Sequence, residues 1–270
     1  MKMFNLPNIF TASNLICGII AILYSLGGRI DLAPLFIFIA ALLDFFDGFL
    51  ARLLNQQGEL GKQLDSLADM VSFGLAPGIV CFVIIAVSLH PDFQKYDGNF
   101  ISFQQMWHDW YKAFAEYKPY TWIPFISLLI PFFSMFRLAK FNIDTRQSES
   151  FIGLPTPANT LFFMTFPLLL ANYSSKDGWV FDLILKSIQA NVFIPVILVM
   201  SVLLVAELPL FALKFKTFSW KENKIRYVFL ITCGILIPII YIWSIPIVVF
   251  LYLILSFIQH ILRKKRTHEI

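Results

Sequence analysis

Between Asp44 and Asp69, where two apolar runs meet, stand four aspartates and one arginine: Asp44, Asp47, Gly48, Ala51 and Arg52, then Gly61, Asp65 and Asp69. On a helix, Asp44, Asp47, Gly48 and Ala51 fall at i, i+3, i+4 and i+7 and share one face, with Arg52 one residue further round. Asp65 and Asp69 are i and i+4 on the next helix. A short connection makes the two helix ends antiparallel neighbours, so both carboxylate pairs are expected to face one gap. Four carboxylates in a low-dielectric gap repel one another. Two divalent cations would balance them, four positive charges against four negative. Oxygen donors with no His or Cys nearby favour Mg²⁺, Mn²⁺ or Ca²⁺ over zinc or copper. Such a pair of ions suits in-line displacement at phosphorus, where attacking and leaving oxygens both need stabilising.

The elements that must position this cluster are membrane spans. The chain of 270 residues is 58% hydrophobic and 14% charged and holds 30 phenylalanines, against roughly half apolar and a quarter charged in soluble domains. About 20 apolar residues cross a bilayer core. Eight runs qualify, near 10–28, 32–54, 65–89, 121–141, 156–173, 190–213, 226–243 and 245–262. The expected fold is an all-α polytopic helical bundle forming a single domain over 1–270, with the site at the ends of spans two and three. Met1–Asn8 carries one positive charge and no small-residue cleavage pattern, so the first run reads as a retained span. Its residues before Asn14, with Pro7 and Thr11, read as a segment along the membrane surface.

Eight spans put both termini on one side. That side would hold 15 of the 21 lysines and arginines, from Lys2, Arg52 and Lys62 through Arg137, Lys140, Arg146, Lys214, Lys216, Lys221, Lys224 and Arg226 to Arg263–Arg266. The positive-inside rule makes it cytoplasmic. The expected location is the inner membrane, with the aspartates at the cytoplasmic face. The segment 90–119 faces outward, and Gln104–Tyr111 reads as a short helix on the membrane surface, where Trp and Tyr concentrate. The Arg263–Arg266 tail reads as an anchor to anionic lipid heads. Cys17, Cys81 and Cys233 lie scattered in apolar runs and read as buried hydrophobes, not disulfides or zinc ligands. No nucleic-acid partner is expected.

The alternative for the aspartates is a set of helix-end charges with a snorkelling arginine. Asp65 and Asp69 would suit a helix N-terminus. Asp44 and Asp47 would not, because they lie in the last turns of their helix. Gly48 and Ala51 leave that helix face bare for a ligand, Gly58 and Gly61 permit a tight connection, and Arg52 offers a planar fork for phosphate.

The whole pattern, D-x2-D-G-x2-A-R-x8-G-x3-D-x3-D, resembles the signature of the CDP-alcohol phosphotransferases. Eight matched positions arise by chance on the order of once in ten billion starting points, which sets coincidence aside. Three further stretches resemble one branch, the membrane-embedded phosphatidylserine synthases: Leu6–Asn14, Asp65–Gly78, and Phe136–Asn142 with Phe151–Pro157. The resemblance implies transfer of the phosphatidyl group of CDP-diacylglycerol to L-serine, with two Mg²⁺ or Mn²⁺ ions, and a homodimer in the bilayer. It implies Asp44, Asp47, Asp65 and Asp69 as metal ligands, with Asp69 as general base. Gly48, Ala51, Arg52, Gly61 and Asn14 would contact CDP-diacylglycerol. Where relatives often carry a hydroxyl six residues beyond the arginine, this chain has Gly58.

Serine is a zwitterion, so its carboxylate needs a cation. Arg137 is the expected partner, with Asn142 as a polar neighbour; Arg137 and Lys140 could instead serve only as positive-inside anchors. Glu207, read as lying inside span six, is expected to pair with a lysine. Two rival readings stand beside this one. One is the same chemistry on glycerol 3-phosphate, inositol or choline. The other is a cation transporter or channel, whose sites usually lie near the bilayer midplane within repeated halves; here the acids cluster at one surface and no repeat is visible.

Overall fold

The computed structural model describes residues 4–144, 150–211 and 220–268, with the backbone path alone given for 150–152, 209, 221–222 and 260–268. Lys2, Arg146, Lys214 and Lys216 of the charge count lie outside the described residues, as do the side chains of Lys221 and Arg263–Arg266. The structure is a helical bundle, as expected. Helix α1 (Leu6–Leu26) opens with Asn5 accepting a 2.9 Å bond from the Asn8 amide and with Pro7 in its first turn, both favoured at a helix start. The residues before Asn14 are therefore the first turns of the span and not a separate surface segment. Helix α2 (Ala33–Leu53) carries Pro34 in its first turn. Next comes one continuous helical run, Glu59–Ser88. It consists of α3 (Glu59–Asp69), a π-helical segment (Met70–Leu75) and α4 (Ala76–Ser88).

At the far end of α4, α5 (Phe100–Ala115) precedes a 3₁₀ run (Pro119–Leu128) that leads into α6 (Leu129–Ile143). Then follow β1 (Ser150–Ile152), α7 (Thr156–Asn172), α8 (Trp179–Ile188), α9 (Ala190–Val205), β2 (Pro209–Phe211), α10 (Trp220–Ile240) and α11 (Ser244–His268). Strands β1 and β2 pair antiparallel, Ser150 opposite Phe211.

The expected number of crossings is not met by helix length alone. Among the described residues five helical runs are long and apolar enough to span, six if α8 and α9, bent by 61°, count together. Helix α7, at 17 residues, is short. The last run, Asn223–Gln259, is not one straight helix. The rings of Phe229 and Tyr252 lie 5.7 Å apart, whereas a straight helix would separate them by about 34 Å. The chain reverses at Tyr241, whose φ is 44°, so α10 and α11 form an antiparallel hairpin.

The core centres on α4, where every residue from Val80 to Val87 is buried. Its run is 78% buried, against 28% for α1 and for α2. Gly74 and Gly78, one turn apart, let α6 approach closely. A Cβ on Gly78 would lie 2.7 Å from Pro131 Cδ, and one on Gly74 3.1 Å from Ser134 Cβ. This is the small-residue packing by which helices associate in lipid.

The π segment has a covalent cause close by. Pro77 has no N–H to give the carbonyl of Phe73, four residues back. The Thr160 hydroxyl of α7 supplies that bond at 2.7 Å. A tertiary contact thus replaces a helical one at the centre of the bundle.

Helix α5 is more deeply built in than a surface helix would be. Phe103, Met106 and Trp110 are buried, Trp110 packs edge-on against Phe82 of α4, and Trp107 Nε1 donates to the Leu26 carbonyl at 2.8 Å. It caps the C-terminal end of α1, satisfying a carbonyl that a helix end leaves free.

Replacing Thr160 with Val keeps the shape but leaves the buried Phe73 carbonyl unpaired. Thr160→Val is expected to lower stability by about 1–3 kcal/mol, read as a fall in melting temperature of the detergent-purified protein. An unchanged melting temperature would mean that the carbonyl is satisfied by some other group.

Candidate functional site

The last three turns of α2 carry Asp44 and Asp47, and α3 carries Asp65 and Asp69. Carboxylate oxygens of Asp44, Asp47 and Asp65 all lie within 4.8 Å of one another. Asp69, one turn further into the membrane, stands outside that trio but close enough to Asp44 to interact electrostatically. The expected gap between two antiparallel helix ends is present. Its donors are all carboxylate oxygens, the set that suits a hard divalent cation, so the residues fit the ions inferred from the sequence.

Helix α1 braces both pairs. Thr11 Oγ1 donates to Asp47 Oδ2 at 2.5 Å, and Asn14 Nδ2 donates to Asp69 Oδ1 at 3.4 Å. Ser72 in the π segment donates to the Asn14 carbonyl at 3.0 Å. That contact needs Gly18, where a Cβ would fall 2.8 Å from the Ser72 Cα. Asn14, expected at the nucleotide lipid, is fully buried beside Asp69. Thr11 was not singled out as a site residue. The available signal was the buried stripe Pro7, Thr11, Asn14, Gly18, Ala21, Ser25, small or polar residues at coiled-coil spacing.

A cleft of about 240 Å³ opens beside the aspartates. It is lined by Pro7, Asn8, Thr11, Asp47, Gly48, Ala51, Arg52, Gln56, Gln57, Gly58, Gly61, Lys62 and Asp65. Gly48, Ala51, Arg52 and Gly61 are therefore together, as their spacing suggested. A second cavity of about 240 Å³ shares Asn8, Gln56, Gln57, Gly58 and Gly61 and adds Asn5 and Leu60. A Cβ at Gly48 would meet no atom within 4 Å. That glycine keeps the cleft open; it does not relieve a clash. Asn8, Gln56, Gln57 and Lys62 give the cleft neutral and basic polar groups that the motif alone did not reveal.

Arg137 does not line this cleft. It is buried, its guanidinium sits 4.8 Å from the Phe141 ring centre, and it interacts electrostatically with Asp69. Lys140 instead pairs with Glu207, Nζ to Oε1 3.0 Å, the lysine partner expected for that acid. Glu207 is not inside a span, because α9 ends at Val205. Asn142 donates to Ser66 Oγ at 2.8 Å and ties α6 to α3. Five residues along a helix, it points about 140° away from Arg137.

A larger apolar cavity, about 820 Å³, lies between α2, α7 and the α10–α11 hairpin. Phe38, Ala158, Leu161, Leu168, Phe229, Ile237, Val248 and Tyr252 are among its lining residues. Along α2, Phe38 is about 9 Å from Asp44. The carboxylates thus have a polar cleft on one side and apolar space within reach in the bilayer.

The CDP-alcohol phosphatidyltransferase family model matches residues 4–213, from the start of α1 past β2. The α10–α11 hairpin lies beyond the match. A CDP-diacylglycerol–serine O-phosphatidyltransferase of Bacillus subtilis is 34% identical over 175 residues, covering 62% of this chain and 80% of the relative. One of Helicobacter pylori is 30% identical over 174 residues, covering 64% and 61%, so the chain spans about three fifths of that relative. An archaetidylserine synthase of Methanothermobacter thermautotrophicus is 27% identical over 165 residues, covering 60% and 58%.

The Thr11–Asp47 bond can be tested on the purified protein by titrating Mn²⁺ and following its electron paramagnetic resonance signal. Thr11→Val is expected to weaken Mn²⁺ binding about 10–100-fold, the usual effect of losing a group that orients a ligand, and Asp47→Asn to weaken it further. Unaltered affinity in Thr11→Val would assign the hydroxyl to packing alone.

Proposed function

The chain belongs to the CDP-alcohol phosphatidyltransferase family, and from that membership we propose that it transfers the phosphatidyl group of CDP-diacylglycerol to the hydroxyl of L-serine, releasing CMP. The observation that carries the proposal is the gathering of Asp44, Asp47 and Asp65 beside a polar cleft that holds Gly48 and Arg52.

In this reading the CMP portion occupies the cleft between α1, α2 and α3. Arg52 pairs with phosphate oxygens in a planar fork, and Gly48 and Ala51 let the nucleotide approach the α2 backbone. The acyl tails lie in the apolar cavity beyond Phe38. Asp44, Asp47, Asp65 and Asp69 hold two divalent ions, Mg²⁺ or Mn²⁺, which when bound supply positive charge against the developing negative charge of the pyrophosphate.

Asp69 is the general base. It accepts the serine hydroxyl proton as the serine oxygen forms a bond to the lipid-side phosphorus. The bond from that phosphorus to the bridging oxygen breaks, and CMP leaves with the electron pair. Asn14 fixes the Asp69 side chain, and Thr11 fixes Asp47. Arg137, the buried cation beside Asp69, takes the serine carboxylate. Lys140 is already engaged by Glu207. One buried guanidinium suits a carboxylate better than the doubly charged phosphate of glycerol 3-phosphate, while inositol and choline have no anionic group for it. The distribution of Lys and Arg supports a cytoplasmic position for this face, where soluble serine arrives.

The deciding assay is CMP release from CDP-diacylglycerol with serine, glycerol 3-phosphate, inositol or choline in turn. Serine is expected to stimulate release above the rate in water and above the other alcohols; stimulation by another alcohol and not by serine would refute the acceptor. Asp69→Asn is expected to keep CDP-diacylglycerol binding while turnover falls about 10²–10⁴-fold. Normal turnover in that variant would remove Asp69 from the role of base.

A further inference from the structure

At the start of α7, Thr156 and Asn159 are buried, 1% and 0% exposed. Neither Thr156 Oγ1 nor either amide atom of Asn159 has a hydrogen-bond partner. Buried side-chain polar atoms are nearly always paired, so an amide idle at both ends marks a place where a polar ligand is received. The same helix face shows what a satisfied neighbour looks like. Thr160, four residues after Thr156, donates to the Phe73 carbonyl at 2.7 Å. That bond turns the face of Thr156, Asn159 and Thr160 toward the π segment.

The register of the neighbouring helices brings the other groups to the same level. Gly78 meets Pro131 and Gly74 meets Ser134, so α6 runs antiparallel to α4. One turn nearer the α2–α3 end from these contacts lie Asp69 on one helix and Arg137 on the other, close enough to interact electrostatically. The start of α7 is held at that end too: the Leu154 amide donates to the Leu203 carbonyl, just before Glu207, which pairs with Lys140. One turn from Thr160 toward the same end is Thr156. The N-terminal, positive end of α7 is therefore at the depth of Asp69 and Arg137. Arg137 Nε and Ser134 Oγ are likewise buried and unpaired.

From these placements, and resting on the serine-transfer reading, we infer that Thr156 and Asn159 join Arg137 in a pocket that reads the amino-acid end of the acceptor. The carboxylate is received by the Arg137 guanidinium, the Thr156 hydroxyl and the positive end of α7. The ammonium donates to the Asn159 carbonyl oxygen. Beyond the guanidinium these groups are neutral, so the pocket is matched to a zwitterion and not to a phosphate dianion. Acceptor selectivity then resides on α6 and α7, apart from the motif that binds the nucleotide.

The test is steady-state CMP release by the full-length protein carrying Thr156→Val or Asn159→Ala, with serine and with serinol, which keeps the hydroxyl and amine but lacks the carboxylate. Each variant is expected to raise the KM for serine about tenfold, the effect of one lost bond to a charged group. The KM for CDP-diacylglycerol should stay within about twofold by the same reasoning. Thr156→Val should also narrow the preference for serine over serinol, and Thr156→Ser should restore it. An unchanged KM for serine, or a KM for CDP-diacylglycerol that rises in step with it, would overturn the pocket. Wild-type protein that uses another alcohol but not serine would instead overturn the reaction on which the pocket rests.

Discussion

Everything around the α2–α3 end of this bundle answers to the mutual repulsion of four carboxylates held in membrane-embedded sequence. Intramembrane acids are costly and persist where they serve function. Asp44, Asp47 and Asp65 stand within 4.8 Å of one another, closer than separate surface charges would settle. Such crowding is sustained only where donors, cations or protonation offset it. The structure supplies the donors from a helix outside the motif. Thr11 and Asn14 of α1 each hold one carboxylate, and Gly18 lets α1 come near enough to do so. Helix α1 is therefore part of the site and not merely the first anchor in the membrane.

The π segment reconciles two demands on one helix. Below it, α3 must turn Asp65 and Asp69 toward α2. Above it, Gly74 and Gly78 must turn toward α6. A π turn carries an extra residue per hydrogen-bonded turn, which rotates the upper face relative to the lower. Pro77 removes a helical donor and so lowers the cost of the irregular stretch, and Thr160 completes the bonding from α7. The device that aims the carboxylates also fastens α7 beside them.

What the sequence made legible follows from where its signals are local. Helix α2 was expected at 32–54 and runs Ala33–Leu53, because a proline opens it and the motif ends in a polar connection. The motif residues share one helical hairpin, so spacing alone brought Gly48, Ala51, Arg52 and Gly61 to one cleft. Helix α1 begins earlier than expected because Asn5 and Pro7 act as a helix start, whereas polar residues near a terminus suggest a surface segment. Helix α8 was not foreseen. Its ten residues include Asp182 and Lys186, and it buries Phe181, Ile184 and Ile188 on one side only. The π segment left no trace in the periodicity, since it is a change of hydrogen-bond register and not of residue type. Asn142 matched a stretch resembling relatives, yet its neighbour is Ser66. Which face of α6 meets which helix is decided by Gly74 and Gly78, a tertiary fact.

The position of Asp69 outside the carboxylate trio becomes intelligible once the two sides of the site are compared. The cleft assigned to the nucleotide is built by α1, α2 and the start of α3, and it touches Asp47 and Asp65. Arg137 does not line that cleft and interacts electrostatically with Asp69, with the start of α7 at the same depth. In-line displacement requires the attacking and leaving oxygens on opposite sides of phosphorus. A base equidistant from all the other carboxylates would serve both sides poorly. In the proposed transfer, Asp69, displaced one turn along α3 and held by Asn14, stands where an acceptor entering past Arg137 brings its hydroxyl, and the other three aspartates remain with the diphosphate. In the proposed reaction, the asymmetry of the cluster is thus the structural counterpart of the asymmetry between donor and acceptor.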